Sequence, residues 1–145
     1  MAVEPRPYKV FISHSSADTW VARQIARHVQ ERGAQVFLDV AHVEHGDDFD
    51  DKIRAEAESS DELLVLMTPS ARKSPWIWIE IGLFRRDDKR IVAVLYGVTP
   101  RTMSPDDRLP GTLTRLNLLD INDIDRYFHE LEARVVRRRR PHVDE

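Results

Sequence analysis

Residues 62–67 read Glu-Leu-Leu-Val-Leu-Met, an almost unbroken apolar run in the middle of the 145-residue chain. A strand with one face in water alternates apolar and polar residues, whereas a strand buried on both faces of a parallel sheet is apolar throughout. We therefore predict that this run is a central strand of a parallel sheet.

Strand-forming runs also lie on both sides of this segment, and helical patterns separate them. The predicted strands are Tyr8–Ile12, Gln35–Leu38, Glu62–Met67, Arg90–Tyr96 and a weaker Leu113–Leu119. Each predicted helix follows a capping residue and carries apolar side chains about every four residues; the caps are Asp18, Asp47, Ser74, and Asn122 or Asp123. This alternation predicts an α/β sandwich built on a parallel sheet.

The composition fits one globular domain and excludes several kinds of site. The chain has no cysteine, which excludes disulfide frameworks, thiolate metal sites and cysteine nucleophiles. A net charge of −3 argues against general binding to nucleic acid or to a membrane surface. Because no apolar run approaches a bilayer span and the N-terminus lacks a signal-peptide core, we expect a cytoplasmic protein. The arginines at 137–140 suit the C-terminal end of a helix and are assigned no function.

Within residues 74–84, one carboxylate lies inside an almost wholly apolar run. The Ser-Pro pair at 74–75 predicts a helix start, and the helix then runs to about Asp88. Trp76 and Glu80 are four residues apart and so share one face of this helix. There Glu80 would be partly desolvated, with a raised pKa, as in a chemical site. The alternative is that Trp76 packs beneath a loop and Glu80 is a solvated helix residue.

Other kinds of site have weaker support. With five glycines, no P-loop and no Gly-x-Gly-x-x-Gly after the first strand, nucleoside triphosphate hydrolysis and hydride transfer are disfavoured. A phosphoacceptor domain would need an aspartate at the end of the third strand, where Thr68 lies. The segment His42–Asp48 has metal-capable side chains at loose spacing, so we predict no metal site. Ser13–Ser16 lacks a nucleophile elbow and is interpreted as a phosphate-contacting or capping segment.

Five segments, in this order and at this spacing, together resemble a Toll/interleukin receptor (TIR) domain of bacterial type. They are Val10–Asp18, Val36–Asp39, Gly46–Phe49, Leu63–Ser70 and Ser74–Glu80. The resemblance implies a flavodoxin-like three-layer sandwich, with a five-stranded parallel sheet in the order 2-1-3-4-5. We expect an N-terminal lead over residues 1–7, a TIR domain over 8–136 and a basic tail over 137–145.

The same resemblance implies an enzyme that cleaves NAD⁺ at the nicotinamide glycosidic bond, with NAD⁺ as substrate and no cofactor. Glu80 takes the position of the family's catalytic glutamate. The positions that match substrate-binding residues are Trp76, Ser13, His14, Asp39 and Phe49. Asp39 and Phe49 flank a segment, Val40–Gly46, that resembles the family's mobile loop. Nicotinamide leaves as a neutral molecule, so no general acid is required, and a carboxylate near the ribose stabilises oxocarbenium character.

Two rival functions are also compatible with the sequence. Some TIR domains are adaptors that only self-associate, and Glu80 would then belong to an interface or a core edge. A nucleoside deoxyribosyltransferase resembles this sheet and also uses a glutamate at a glycosidic carbon. Under the NAD⁺ interpretation the product is linear ADP-ribose or a cyclic variant, and the role is in bacterial defence or signalling. Control would come from TIR–TIR self-association or from a partner that acts as a sensor.

Overall fold

A computed structural model describes residues 5–41, 47–103 and 116–139. Five parallel strands form one sheet in the order β2-β1-β3-β4-β5, which confirms the predicted fold class. The strands are β1 Lys9–Ser15, β2 Gln35–Ala41, β3 Glu62–Met67, β4 Arg90–Leu95 and β5 Asn117–Asp120. All six residues of β3 are buried, as its apolar sequence predicts.

Helices cover both faces of the sheet. They are α1 Thr19–Glu31, α2 Asp47–Ser59, α3 Pro75–Arg86 and α4 Ile124–Arg139, with short 3₁₀ turns at Ser16–Asp18, Ala71–Lys73 and Ile121–Asp123. Because side chains alternate along a strand, Val10 and Ile12 of β1 pack with α1 and α4, whereas Phe11 packs with α2 and α3. The sheet thus separates two apolar cores. We call the two sides the α1/α4 face and the α2/α3 face.

Strand ends differ from the prediction in a way that matters for the site. β1 continues to Ser15 rather than Ile12, and β2 continues to Ala41 rather than Leu38. The ladder extends because backbone pairing does not require apolar side chains, and Ser13 lies opposite Asp39 in it. Two polar residues that the sequence places at or beyond the strand ends are therefore held inside strands.

Other boundaries also shift. β5 begins at Asn117 rather than Leu113, and residues 113–115 lie outside the described part of the chain. α3 begins after Ser74 as predicted, but the Ser74 side chain makes no capping hydrogen bond. α3 ends at Arg86, before Asp88, which has a φ of 54° in the left-handed region. α4 continues through Arg139, three residues into the predicted basic tail.

A buried ionic network closes the amino end of the sheet. Glu62 is fully buried and accepts hydrogen bonds from the hydroxyls of Tyr8 and Tyr127. Arg134 Nε and Nη2 donate to the two carboxylate oxygens of Glu62 over 2.9 and 3.2 Å. The network neutralises a charge that would otherwise be costly to bury, and it ties α4 to β3. Within the described ranges, no helix is long and apolar enough to cross a membrane.

Candidate active site

The candidate site is built around the carboxyl group of Glu80 on α3. α3 lies on the α2/α3 face, with Ile77, Ile81 and Phe84 in the core. Glu80 shares this buried side of the helix and is only 1% exposed. The hydroxyl of Ser13 at the carboxyl end of β1 donates to Glu80 Oε1 over 2.7 Å. A glutamate in this position is therefore a fixed part of the interior and not a solvated helix residue.

A second carboxyl group lies beside the first. Asp39 is 2% exposed and faces Ser13 across the β1–β2 ladder. Glu80 Oε2 and Asp39 Oδ2 are both buried and accept no hydrogen bond from a donor on any other described residue. Buried carboxylate oxygens are rarely left in this state, because each loses its hydration without replacement. The two adjacent carboxyls can share one proton, and once that proton is lost they can accept from a donor or bind a cation.

This environment changes the proton affinity of the site. Burial raises the pKa of Glu80 to about 10, and the neighbouring Asp39 carboxyl adds to the rise. The Ser13 hydrogen bond opposes it, because a donor stabilises the ionised form. At neutral pH, in this conformation, Glu80 is therefore protonated. Two close buried carboxyls retain a proton because both cannot ionise cheaply.

Trp76 lies one helical turn before Glu80 on α3. Its side chain is partly buried and packs against the α2/α3 core. Trp78 has a different role, since its Nε1 donates to the Arg72 carbonyl over 3.0 Å and anchors the preceding 3₁₀ turn. Both indoles thus pack against the α2/α3 core, and Trp78 in addition anchors the turn that precedes α3.

His14 does not join the Glu80 group. The side chains of Ser13 and His14 point to opposite faces because they are consecutive in a strand. His14 is fully buried, and its Nε2 lies 3.3 Å from Thr19 Oγ1 at the start of α1. Burial lowers the pKa of His14, and the carboxylates of Asp39 and Asp18 partly oppose this. Two residues that the sequence groups together are thus divided between the faces of the sheet.

Two further sequence predictions cannot be placed. Residues 42–46 of the predicted mobile loop lie outside the described residues, and so does the side chain of Phe49, whose backbone belongs to α2. Across the ranges that the structure describes, no group of three or more His, Asp or Glu side chains is arranged to hold a metal ion.

The sequence names Ser13, Asp39 and Glu80 separately, but it does not say that they form one cluster. The register of β1 against β2 sets Ser13 opposite Asp39, and the packing of α3 brings Glu80 to both. The strand order implied by the family resemblance could have predicted part of this cluster, because it makes β1 and β2 neighbours. Chemically, the cluster can bind ribose-type hydroxyls and, once ionised, stabilise a cation.

Comparisons with known proteins agree with this architecture. A family model described as "TIR domain" matches residues 10–135. A Brachypodium distachyon protein named "Probable 2' cyclic ADP-D-ribose synthase BdTIR" is 25% identical over 122 residues, which are 83% of this chain and 53% of the relative. The chain thus spans about half the length of that relative.

Solved structures show the same fold. The TIR domain of the Toll-related receptor TRR-2 from Hydra magnipapillata superposes with a TM-score of 0.63 at 21% identity, covering 90% of this chain and 98% of that one. The TIR domains of the activated Roq1 resistosome superpose with a TM-score of 0.61 at 16% identity, again covering 90% and 98%. At these identities the likeness concerns the fold alone.

Proposed function

The chain belongs to the TIR domain family, and we propose that it is an NAD⁺-cleaving enzyme in which Glu80 acts at the nicotinamide glycosidic bond. The observation that carries the proposal is the buried Glu80 carboxyl, oriented by Ser13 and paired with the Asp39 carboxyl towards the carboxyl end of the sheet. Ligands of open parallel sheets bind at this edge. The cyclic ADP-ribose synthase named among the relatives supports the same substrate class.

The reaction needs little from the protein beyond electrostatics. The bond between the ribose carbon and the nicotinamide nitrogen breaks, its electron pair goes to the nitrogen, and neutral nicotinamide leaves. The ribosyl group is left with oxocarbenium character, which an adjacent carboxylate stabilises. Water then adds to the ribosyl carbon and releases one proton, giving ADP-ribose; capture by a nitrogen of the substrate's own adenine would give a cyclic product instead.

In this scheme Glu80 must be ionised when the cation develops, although it is protonated in the free chain. The substrate itself would ionise Glu80, because its pyridinium ring brings a positive charge to the Glu80 carboxyl and lowers the pKa of that group. Asp39 remains beside it as the partner for a ribose hydroxyl. The half-buried Trp76 supplies an aromatic surface one turn away for the flat nicotinamide ring.

Three of the remaining roles rest on the family resemblance. Phe49 and the Val40–Gly46 segment match the family's pocket wall and mobile loop, and His14 matches a residue near the bound nucleotide. In this structure His14 instead contacts Thr19 at the start of α1, on the face of the sheet opposite Glu80. We further propose that the protein works as a self-associating TIR domain in cytoplasmic defence or signalling. The activated Roq1 resistosome, whose TIR domains share this fold, supports self-association.

The test is nicotinamide release from NAD⁺, measured over a range of protein concentrations. Wild type is compared with Glu80→Gln, which keeps the shape and the Ser13 hydrogen bond, and with Glu80→Ala. Glu130→Gln is the matched control, because Glu130 is an exposed glutamate on α4. We expect release by wild type and Glu130→Gln and a loss of at least about a hundredfold in both Glu80 variants, on the scale of removing an electrostatic stabiliser.

A second candidate function is a non-catalytic adaptor, and one observation favours it: Glu80 is enclosed and neutral in the free chain. Absence of nicotinamide release at every protein concentration, combined with concentration-dependent assembly, would establish the adaptor function instead. A parallel assay with deoxyadenosine and free cytosine tests the third alternative, since base exchange without NAD⁺ cleavage would identify a deoxyribosyltransferase.

A further inference from the structure

A cleft of about 360 Å³ opens at the carboxyl edge of the sheet. It lies between the segment after β1, the segment after β3 and the end of β4, with Trp20, Asp18, Thr68, Tyr96 and Gly97 in its walls. In a sheet of order 2-1-3-4-5, the chain reverses its direction of winding between β1 and β3, and this reversal leaves a crevice outside the strand ends. The cleft therefore occupies the place where the topology itself favours a ligand.

This cleft and the Glu80 site lie on opposite faces of the sheet. Val21 of α1 lines the cleft and packs against the α1/α4 core, and Thr68 donates to Asp18 just before α1, so the cleft lies on the α1/α4 face. Glu80 belongs to α3, on the α2/α3 face. β1 lies between the two sites.

The walls of the cleft are aromatic and exposed. Trp20 is 70% exposed and Tyr96 is 46% exposed, and both line the cleft. Of the four exposed large hydrophobic side chains found in the described residues, these are the two aromatic ones. Tyr96 is held in place by its backbone N–H, which donates to the Met67 carbonyl over 2.9 Å. Gly97 follows with a φ of 78°, a left-handed turn packed against Pro69.

The charge of the cleft restricts its ligand. Asp18 lines it, and Asp18 Oδ2 accepts a hydrogen bond from Thr68 Oγ1 over 2.5 Å, which fixes the carboxylate between the two strand ends. A carboxylate can accept further bonds after the first. Among the described residues that line the cleft, none is lysine, arginine or histidine. The side chains of the cleft thus offer a phosphate no basic group and offer a cation one carboxylate.

From the two aromatic walls and the fixed carboxylate, we propose that this cleft binds a planar heteroaromatic cation of the pyridinium type. The ring stacks on Trp20 and Tyr96, where a cation is attracted by the negative faces of the rings, and Asp18 pairs with its charge. This site goes beyond the proposed NAD⁺-cleaving function and does not depend on it.

The probe is 1-methylnicotinamide, a pyridinium that has no glycosidic bond for Glu80 to act on, and neutral nicotinamide is its matched analogue. Binding is measured by calorimetry and by ¹H–¹⁵N shift changes at the amides of Ala17, Thr68 and Gly97. We expect the cation to bind more tightly than the neutral ring, with shifts at those amides. Equal affinity of the two probes, or shifts confined to α3, would overturn the proposal.

Variants assign the contacts. Trp20→Ala and Tyr96→Ala should each weaken binding of 1-methylnicotinamide roughly tenfold, whereas Trp20→Phe retains most of it. Asp18→Asn keeps an acceptor for Thr68 but removes the charge, and should bring the cation's affinity down to that of nicotinamide. Ile79→Ala is the control, because Ile79 is an exposed apolar residue on α3.

Glu80→Gln separates this proposal from the proposed function. It should leave the shifts that 1-methylnicotinamide induces at the amides of Ala17, Thr68 and Gly97 unchanged, whether or not the protein cleaves NAD⁺. Loss of binding in Glu80→Gln, with binding retained in Trp20→Ala, would place the cation in the other site and overturn the inference. Sedimentation velocity of wild type and Trp20→Ala tests a further outcome. If 1-methylnicotinamide does not bind and self-association is lost in Trp20→Ala, then Trp20 and Tyr96 form a contact between protein copies, and the proposal is overturned.

Discussion

Replacing Glu80 with glutamine should make the folded chain more stable at neutral pH, although it removes the group that we propose acts on substrate. Burial raises the pKa of Glu80 from 4.5 to about 10 in the folded chain. Below the unfolded pKa, both states hold the proton, and the contribution of Glu80 to stability is fully present. Between the two pKa values only the folded state holds it, so the free energy of unfolding falls as the pH rises.

The size of the effect follows from the same linkage. Each pH unit between the unfolded and folded pKa values removes about 1.4 kcal/mol of stability. From the unfolded value of 4.5 to a neutral pH this amounts to about 3 kcal/mol. Glutamine cannot ionise, keeps an acceptor for Ser13 and can donate to Asp39, so it resembles protonated Glu80 at every pH. The variant should therefore gain about 3 kcal/mol over wild type at neutral pH, or roughly 10 °C in melting temperature.

The assay is urea unfolding followed by far-UV circular dichroism, with wild type, Glu80→Gln and the exposed control Glu130→Gln measured in parallel from about pH 5 to pH 8. The gap between wild type and Glu80→Gln should be less than about 1 kcal/mol at the acidic end and widen with pH. Glu130→Gln should track wild type throughout. A gap that does not depend on pH, or a variant less stable than wild type at neutral pH, would refute the assignment of a protonated, buried Glu80.

Three further outcomes follow from the same contacts. Asp39→Asn removes the neighbouring charge and should lower the pKa of Glu80. Because kcat/KM for NAD⁺ cleavage rises with pH as Glu80 ionises, the variant should reach its plateau at a lower pH than wild type. An unchanged pH profile would contradict the electrostatic coupling between Asp39 and Glu80. Ser13→Ala removes the hydrogen bond that favours the ionised form of Glu80, so kcat/KM at neutral pH should fall roughly tenfold in the nicotinamide-release assay. An unchanged kcat/KM would show that this hydrogen bond does not contribute to the reaction. Arg134→Met leaves the buried Glu62 charge without its cation and should lower the free energy of unfolding in urea by about 3 kcal/mol. In a Glu62→Gln background the same change should lower it much less. Equal losses in the two backgrounds would mean that Arg134 acts through packing alone.

The fold was predictable because its signals are local. The run at Glu62–Met67 is apolar over its length after the first residue, and the structure buries all of it in the middle of the sheet. The Ser-Pro pair at 74–75 marks the start of α3 correctly. The ends of β1 and β2 were wrong because hydropathy falls at Ser13 and Asp39 while the backbone ladder continues. The apolar pattern of each strand ends before its backbone hydrogen bonds do, and the neighbouring strand determines where the pairing stops.

The site was predictable in its parts and not in its arrangement. An apolar helix with one carboxylate indicates a desolvated Glu80, and the structure buries that residue. Its contacts with Ser13 and Asp39 depend on cross-strand register and on how α3 packs, which are long-range properties of the fold. The cleft beside Trp20 and Tyr96 could not be predicted from sequence patterns either, because these two residues are 76 positions apart along the chain.

The raised pKa also bears on how such a site would be switched on. With a pKa of about 10, only about one chain in a thousand has Glu80 ionised at neutral pH, and ionising the rest costs about 4 kcal/mol. A unit positive charge about 4 Å from a carboxylate, at the effective dielectric constant typical near a protein surface, contributes about 4 kcal/mol. One cationic ring at that distance would therefore bring the pKa of Glu80 down to near neutrality. The chain would keep the neutral, more stable form at rest and expose a charged carboxylate only when a cationic substrate lies against it.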